Sequence, residues 1–442
     1  MHALGAKFLL DVAVILFAAR LGGELFRRFR QPAVIGEIVA GIALGPTLLG
    51  ALPGDPSGAL FPADARVPLA GLGQIGLVVF MFLVGLEFKA SEFRERGRAV
   101  LGISAASVAL PFGLGVLLAT GLYSSHHAAS GRAGDFLPFA LFLGVAMSIT
   151  AFPVLARILV DRGLTDHPVG RLALSCAALQ DALAWTLLAG VMALVASKGG
   201  WGYVSVAVWG LVLVVGLGGV ARPLLRRLLA SGERPGSSLP DPSLPAPLLL
   251  VASGIALSAW LADSAGLHPV FGAFAFGVVM PRTGESLALA VVRTRLEPVA
   301  AVLLPIYFVS AGMGVNVGPL GGSAPTEFAL ILLCACAGKI VGAAGAARAS
   351  GVPPREALGI GALMNTRGLI EIIVLKIGLD AHLIDGNLYT LLVLMAIVTT
   401  LLAGPAVRVL LREAESAPAL DLDRRAPLAE GAAAPAVAGD GR

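Results

Sequence analysis

The chain has 442 residues, of which 57% are hydrophobic and only 14% are charged, whereas an average soluble domain is about 25% charged. Glycine is abundant, at 56 residues, and glycine is commoner in membrane helices than in soluble ones. So few charges exclude a soluble fold of this length, and a net charge of +4 is too small to point to nucleic acid, so the expected class is an all-α polytopic membrane protein in a lipid bilayer.

A helix needs about 20 apolar residues to cross the ~30 Å hydrocarbon layer. In chain order such stretches fall at about 5–26, 32–50, 67–88, 98–121, 136–160, 169–197, 201–229, 246–263, 268–281, 296–314, 326–348, 355–378 and 386–411. That gives about 13 helices, or twelve if the short ninth stretch does not fully span. The first run carries Asp11, Arg20 and Glu24 and has no clear cleavage site, so no cleavable signal peptide is expected.

Sorting the 32 Lys and Arg residues over the connections puts 24 on one side and only Lys7, Arg66, Arg132 and Lys198 on the other. Arg20, Lys339, Arg367 and Lys376 fall within helices. Basic residues mark the cytoplasmic side, so the N-terminus is expected outside, the C-terminus in the cytoplasm, and the chain in the inner or plasma membrane. Residues 231–247 hold five prolines and read as a linker. Residues 413–442 are rich in Ala, Pro and Gly and read as a disordered cytoplasmic tail. Residues 1–412 are then one transmembrane domain, and no soluble regulatory domain is expected. Cys176, Cys334 and Cys336 all lie within helices and read as buried thiols.

The two halves echo one another. VIGEIVAG (34–41) matches VFGAFAFG (270–277), Phe80 and Gly85 match Tyr307 and Gly312, and GVAMSIT from Gly144 matches GALMNTR from Gly361, at offsets of 236, 227 and 217. Matched helices are an odd number apart and run in opposite directions, the plan of inverted-topology repeats in secondary transporters. Repeat one covers about 5–197 and repeat two about 246–411. The fifth stretch is interrupted by Ser148-Ile149-Thr150-Ala151-Phe152-Pro153, where the proline removes a backbone donor. The twelfth is interrupted at the matched place by Asn365-Thr366-Arg367-Gly368. Discontinuous helices at matched positions point to a midplane ion site, because unwound carbonyls and half-helix ends face it.

Ionisable residues inside a membrane are costly and usually functional. Asp181 lies mid-helix with Ala177, Ala178, Ala184 and Trp185 at helical neighbour positions, and Lys339 lies mid-helix with Ala335, Cys336, Gly342 and Ala343. Three alanines around Asp181 and four small residues around Lys339 leave the two groups open, and Asp181 and Lys339 are expected to face one another. Arg367 and Glu371 are four apart and can pair along one helix face, holding the broken helix. Glu37 is a candidate cavity carboxylate, while Asp11, Arg20, Glu24 and Lys376 are expected to pair or snorkel. Gln74 is a further candidate for lining a polar path. All six His residues lie near the chain start, at helix ends or in loops, and no HExxH, CxxC pair, P-loop or GxSxG occurs, so no cofactor is expected.

PAVIGEIVAGIALGPTLLG, LVVFMFLVGLEF, SITAFPVLARIL, the Gln180-Asp181 pair, GKIVGA and MNTRGLIEIIVLKIG occur in that order. Together they resemble the monovalent cation:proton antiporter-2 family over about residues 10–410. MNTRGLIEIIVLKIG is most similar to the plant cation/proton exchanger branch, and the Gln-Asp pair to the bacterial potassium-efflux antiporters. The resemblance implies a sodium/proton antiporter-like fold with two crossing discontinuous helices, and a homodimer whose subunits each have a scaffold and a mobile core. It also implies that Asp181 binds cation and proton in turn, with Lys339 as its basic partner. Electrogenic relatives carry two adjacent aspartates, whereas Gln180 precedes Asp181 here; one carboxylate favours one-for-one exchange, and release of a proton from Lys339 is the alternative that leaves the stoichiometry open. The potassium-efflux members carry a nucleotide-binding C-terminal domain where this chain has a short tail, so gating of that kind would fall to a separate regulatory subunit.

The chemistry also follows from the residues. Burial disfavours an ionised carboxylate and a nearby ammonium favours it, so a monovalent cation and a proton compete for Asp181. If the protein changes conformation only when Asp181 is neutralised by one or the other, exchange results and leak is suppressed. Ser148, Thr150, Gln180 and Asn365, with carbonyls at the breaks around Pro153 and Thr366, are the expected oxygen shell. The alternatives are a cation channel or leak pathway, a transport-inactive cation sensor of the same fold, and an intramembrane enzyme on a lipid-linked substrate. The last would need paired carboxylates or a metal cluster, where the sequence offers a lone Asp181.

Overall fold

A computed structural model describes residues 2–29, 31–87, 97–126, 135–164, 167–196, 215–225, 246–265, 268–281 and 287–411. The first half contributes α1 (His2–Arg28), α2 (Ala33–Leu44), the single turn α3 (Pro56–Leu60), α4 (Ala63–Glu87), α5 (Gly97–His126), α6 (Phe136–Ser148), α7 (Phe152–Asp161) and α8 (Pro168–Ala196). The second contributes α9 (Ala246–Ser264), α10 (Pro269–Val279), α11 (Leu287–Met313), α12 (Ala324–Ala349), α13 (Pro354–Met364), α14 (Leu369–Asp380) and α15 (Gly386–Leu410). Residues 215–225 are helical, with a π turn at Leu217–Ala221. No strand occurs among the described residues. Six of their helices are long and apolar enough to cross a membrane by length and composition.

The expected elements are largely present, with informative differences. The stretch expected at 32–50 leaves helical geometry after Leu44 and continues as turns. Most of the helix expected at 201–229, most of the linker at 231–247 and the tail at 413–442 lie outside the described residues. The short ninth stretch is α10, an eleven-residue helix that is mostly buried. Cys176, Cys334 and Cys336 are free thiols; Cys176 is buried, whereas the other two are half-buried rather than buried as expected.

The helices sort into two bundles. α1, α2, α4, α9, α10 and α11 pack mainly on one another, and α5 to α8 pack mainly with α12 to α15, while α11 against α14 is the principal helix contact between the groups. The first bundle is closed by glycines at which the backbones nearly touch. A Cβ on Gly41 would lie 2.2 Å from the Val309 carbonyl oxygen, and one on Gly312 would lie 2.2 Å from that of Ile38. In the matching contact between α10 and α4 a Cβ on Gly277 would lie 2.3 Å from the Phe82 oxygen, and one on Gly85 2.3 Å from that of Phe274. Ile38, Gly41, Phe82 and Gly85 map onto Phe274, Gly277, Val309 and Gly312 by the same offsets of 236 and 227 that relate the sequence motifs. The α2–α11 contact is therefore the repeat image of the α10–α4 contact, and the weak sequence echo corresponds to a duplicated packing unit.

Because a methyl group at these glycines must displace backbone, Gly312→Ala is expected to cost about 1–3 kcal/mol through overpacking. Gly71→Ala, where nothing lies within 4 Å, is expected to be neutral or slightly stabilising. Thermal unfolding of the two variants in detergent checks this; equal melting temperatures would show that the close approach is not required.

Candidate functional site

The second bundle is organised around two interrupted helices. α6 stops at Ser148, Ile149 is extended, and α7 begins at Phe152; α13 stops at Met364 and α14 begins at Leu369. Pro153 sits in the first turn of α7, where its missing N–H is an orphan in any case. It therefore starts the second half-helix and does not kink a continuous one, in line with the interruption expected from the sequence. The two breaks cross: the Ala151 N–H donates to the Thr366 carbonyl at 3.0 Å. Gly368 is required at this crossing, since a Cβ there would lie 2.6 Å from Val154 Cγ2.

A helix end leaves backbone carbonyls or N–H groups without partners, and four ends meet here. The C-terminus of α6 is covered by cations. Arg367 donates from Nη1 to the Ala146 carbonyl at 3.0 Å and from Nη2 to the Met147 carbonyl at 2.8 Å. Lys339 donates to the Ser148 carbonyl. The C-terminus of α13 receives the Thr150 hydroxyl, 2.8 Å from the Met364 carbonyl. Thr150 and Met147 map onto Arg367 and Met364 by the offset of 217. The two repeats thus make the same bond with different side chains, a hydroxyl in one and a guanidinium in the other. Negative charge gathers at helix C-termini, so the two cations suit the α6 end.

At the N-termini the charges are reversed. The Phe152 N–H at the start of α7 donates to the Asp181 carboxylate, and Glu371 lies in the first turn of α14. Asp181 Oδ1 is buried and has no hydrogen-bond partner among the described residues; the same holds for Asn365 Oδ1 and Glu371 Oε2. Arg367 and Glu371 are fully buried and paired, Nη1 to Oε1 at 2.6 Å. Thr400 on α15 clasps the second break, accepting from the Arg367 N–H at 3.2 Å and donating to its carbonyl at 2.6 Å.

Asp181 and Lys339, expected to face one another, lie close enough to feel each other's charge but are not in direct contact. Among the described residues no ion pair joins them. Lys339, fully buried, gives its three hydrogens to the Ser148 carbonyl, to Thr150 Oγ1 at 2.6 Å and to Gln180 Oε1 at 3.0 Å. Thr150 Oγ1 also lies 2.7 Å from Gln180 Oε1, a second acceptor for the one hydroxyl hydrogen that reaches the Met364 carbonyl, so Lys339, Thr150 and Gln180 form one bonded cluster at the half-helix ends. Ser148 contributes its carbonyl; its hydroxyl bonds back to Val145 at 2.8 Å and is not presented to the site. Thr366 likewise turns its hydroxyl to the Leu363 carbonyl. Asn365 Nδ2 lies 3.4 Å from Cys336 Sγ, leaving Oδ1 free. Glu37 is on α2 in the first bundle, only half-buried, and has no bond to this group.

Trp185 of α8 stacks edge-on against Phe271 of α10 with ring centroids 5.9 Å apart. Asp181 is one helical turn from this contact, with its carboxylate bonded to the start of α7 in its own bundle. The crossing thus offers a carboxylate oxygen with no partner, a free amide oxygen and a committed ammonium, one turn from a contact between the two bundles. These groups suit a small cation or a proton. No cluster of His, Cys, Asp and Glu suited to a metal ion occurs among the described residues.

Comparison with known proteins bears on the family and the fold. The family described as sodium/hydrogen exchanger, transmembrane, matches residues 13–413. The Na(+)/H(+) antiporter NhaS4 of Synechocystis sp. is 40% identical over 406 residues, covering 90% of this chain and 96% of that protein. The Cation/H(+) antiporter 18 of Arabidopsis thaliana is 36% identical over 415 residues, covering 92% of this chain and 49% of that protein, so this chain spans about half its length. Among solved structures, the sodium proton antiporter MjNhaP1 from Methanocaldococcus jannaschii shares the fold, with a TM-score of 0.62 at 14% identity over 93% of this chain and 98% of that one. A match over nearly every described helix, together with the six motifs in order, establishes that the chain belongs to the sodium/hydrogen exchanger family of membrane proteins, within its monovalent cation:proton antiporter-2 branch.

Proposed function

We propose that this chain exchanges a monovalent cation, potassium or sodium, for protons by alternating access, with Asp181 binding the two in turn. The observation that carries the reading is the Asp181 carboxylate: one side is held by the Phe152 N–H at a half-helix N-terminus, and Oδ1 has no partner. The names of the relatives point the same way, one a sodium/proton and one a cation/proton antiporter. Asn365 Oδ1 and carbonyls at the breaks are the further oxygens available to a cation. Gln180 and Thr150 act one step back, by fixing Lys339. The bundle of α5–α8 and α12–α15 carries the site as a unit and moves against the other bundle, exposing Asp181 alternately to each side. The chain works as a homodimer in the inner or plasma membrane, with the N-terminus outside and the basic loops and C-terminus in the cytoplasm.

Stoichiometry follows from the same bonds. Two of the neighbours of Lys339 Nζ, the Ser148 carbonyl and Gln180 Oε1, can only accept, and the third is the Thr150 hydroxyl, a set that favours the ammonium form. On this reading Lys339 keeps its proton and Asp181 alone alternates, giving one cation for one proton; release of a proton from Lys339 during the cycle would instead make the exchange electrogenic. The test is dequenching of a pH-sensitive dye in liposomes with potassium, sodium, lithium and rubidium, at clamped and unclamped membrane potential. Cation-dependent proton movement at equal rates in both conditions is expected. Current without proton counter-flow would replace this reading with a channel, and a cation-induced thermal shift without flux would replace it with a sensor.

A further inference from the structure

At the face opposite the basic loops, far from the crossing, three charged side chains of the second bundle meet. His126, the buried last residue of α5, places Nδ1 3.1 Å from Asp385 Oδ1 and Nε2 3.0 Å from Glu327 Oε2. Glu327 lies in the first turn of α12, and Asp385 caps α15 by accepting the Leu388 N–H at 2.8 Å. The Asp385 N–H also donates to the His126 carbonyl at 3.2 Å. A neutral imidazole has one N–H and one lone pair. Only the doubly protonated ring donates to both carboxylates; the neutral ring would set a lone pair against one of them. Of the other helices packed on α5, α6 brings Asp135, exposed and without a bond to the ring, and the last turns of α8 carry no titratable group.

The turn that Asp385 caps is also where the two bundles are fastened. The Tyr389 hydroxyl on α15 donates to the Ala311 carbonyl of α11 at 2.8 Å. The Asn316 N–H, just beyond α11, donates to Thr390 Oγ1 at 3.1 Å. Both bonds join the crossing bundle to the other one, and both must break if the bundles part on this face.

We propose that His126 is a regulatory proton site: its imidazolium, held between Glu327 and Asp385, fixes the first turn of α15 so that Tyr389 and Thr390 keep this face closed. When the ring loses its proton to water, one of the two bonds is lost and the fastening loosens. The clasp is intact at acidic pH and opens as pH rises. The inference rests on the antiporter reading only where transport is measured, because the clasp itself is read from stability.

The test uses the full chain with His126→Gln, which cannot donate to both carboxylates, and Tyr389→Phe, which removes the bond between bundles but leaves the triad. Between about pH 6 and about pH 9, where a histidine titrates, the wild-type melting temperature is expected to fall by about 2–4 °C more than that of His126→Gln. Tyr389→Phe should keep the wild-type fall. In proteoliposomes, exchange at the acid end should rise roughly tenfold in either variant relative to wild type, the weight of one charge-assisted bond or its dependent partner. An equal thermal fall in wild type and His126→Gln overturns the proton site. A differential thermal fall with unchanged acid-end transport in both variants overturns its coupling to opening.

Discussion

Asp181→Asn is expected to abolish cation-dependent proton movement while leaving the protein folded. Asparagine has nearly the same shape, and its Oδ1 can accept the Phe152 N–H that now goes to the carboxylate. The start of α7 therefore keeps its partner, and one neutral substitution at a site already holding an unpartnered oxygen should change stability by no more than about 1 kcal/mol. Two things are lost: the negative charge that attracts the cation and the group that takes up the proton. Because one site serves both substrates in the proposed cycle, neither half of the exchange survives, and the rate should fall at least ~100-fold, equivalent to about 2.7 kcal/mol or more. Asp181→Glu keeps the chemistry but moves the carboxylate by one methylene, and should retain measurable exchange with altered cation preference. Coupled exchange in Asp181→Asn within about tenfold of wild type would remove Asp181 from the centre of the mechanism.

The positions of the two breaks were legible because membrane helices are otherwise monotonous. Ser148, Thr150 and Pro153 in one apolar run, and Asn365 to Gly368 in another, are polar or helix-breaking residues at matched places. The repeat was legible from short motifs and is explained by the glycine contacts, since a backbone approach of that kind leaves no other residue type available. The partners of Lys339 were not legible. Opposite charges in two otherwise apolar helices suggest a pair, but the ammonium turns to the end of α6, whose carbonyls lose their helical partners only once the break has formed. Every residue has a carbonyl, so no letter in the sequence marks Ala146, Met147 or Ser148 as acceptors. For the same reason the name Phe152 conceals the N–H that holds Asp181. Thr400 and Tyr389 were overlooked because single hydroxyls in apolar helices often bond back to their own turn. Thr400 has such an acceptor too, with the Ala396 carbonyl 2.7 Å from its Oγ1 competing for the one hydrogen, and its contact with Arg367 depends on how α15 lies against the break.

Arg367→Met should be the most destabilising single substitution at the crossing. The guanidinium is fully buried and holds three groups at once: Glu371 and the carbonyls of Ala146 and Met147. Its removal leaves a buried carboxylate without its counter-charge and two helix-end carbonyls without donors. Breaking a buried pair from one side costs about 3–5 kcal/mol, a large part of the ~5–15 kcal/mol that separates folded from unfolded in typical domains. Low yield and a sharply reduced melting temperature in detergent are expected. Arg367→Lys should fall between, because an ammonium cannot span two carbonyls and a carboxylate with the fork of a guanidinium. The contribution of Glu371 can be separated with Glu371→Gln, which removes the charge and keeps the shape. If the unpaired carboxylate is the main cost, Arg367→Met with Glu371→Gln should be more stable than Arg367→Met alone by at least about 1.5 kcal/mol, a coupling within the usual range for contacting residues. Equal stability of the two would mean that the carbonyls at the end of α6, and not Glu371, are what Arg367 is there to hold. In that case the double variant should also stay inactive, because without those bonds the end of α6 no longer sets the distance between Ser148, Lys339 and the carboxylate of Asp181.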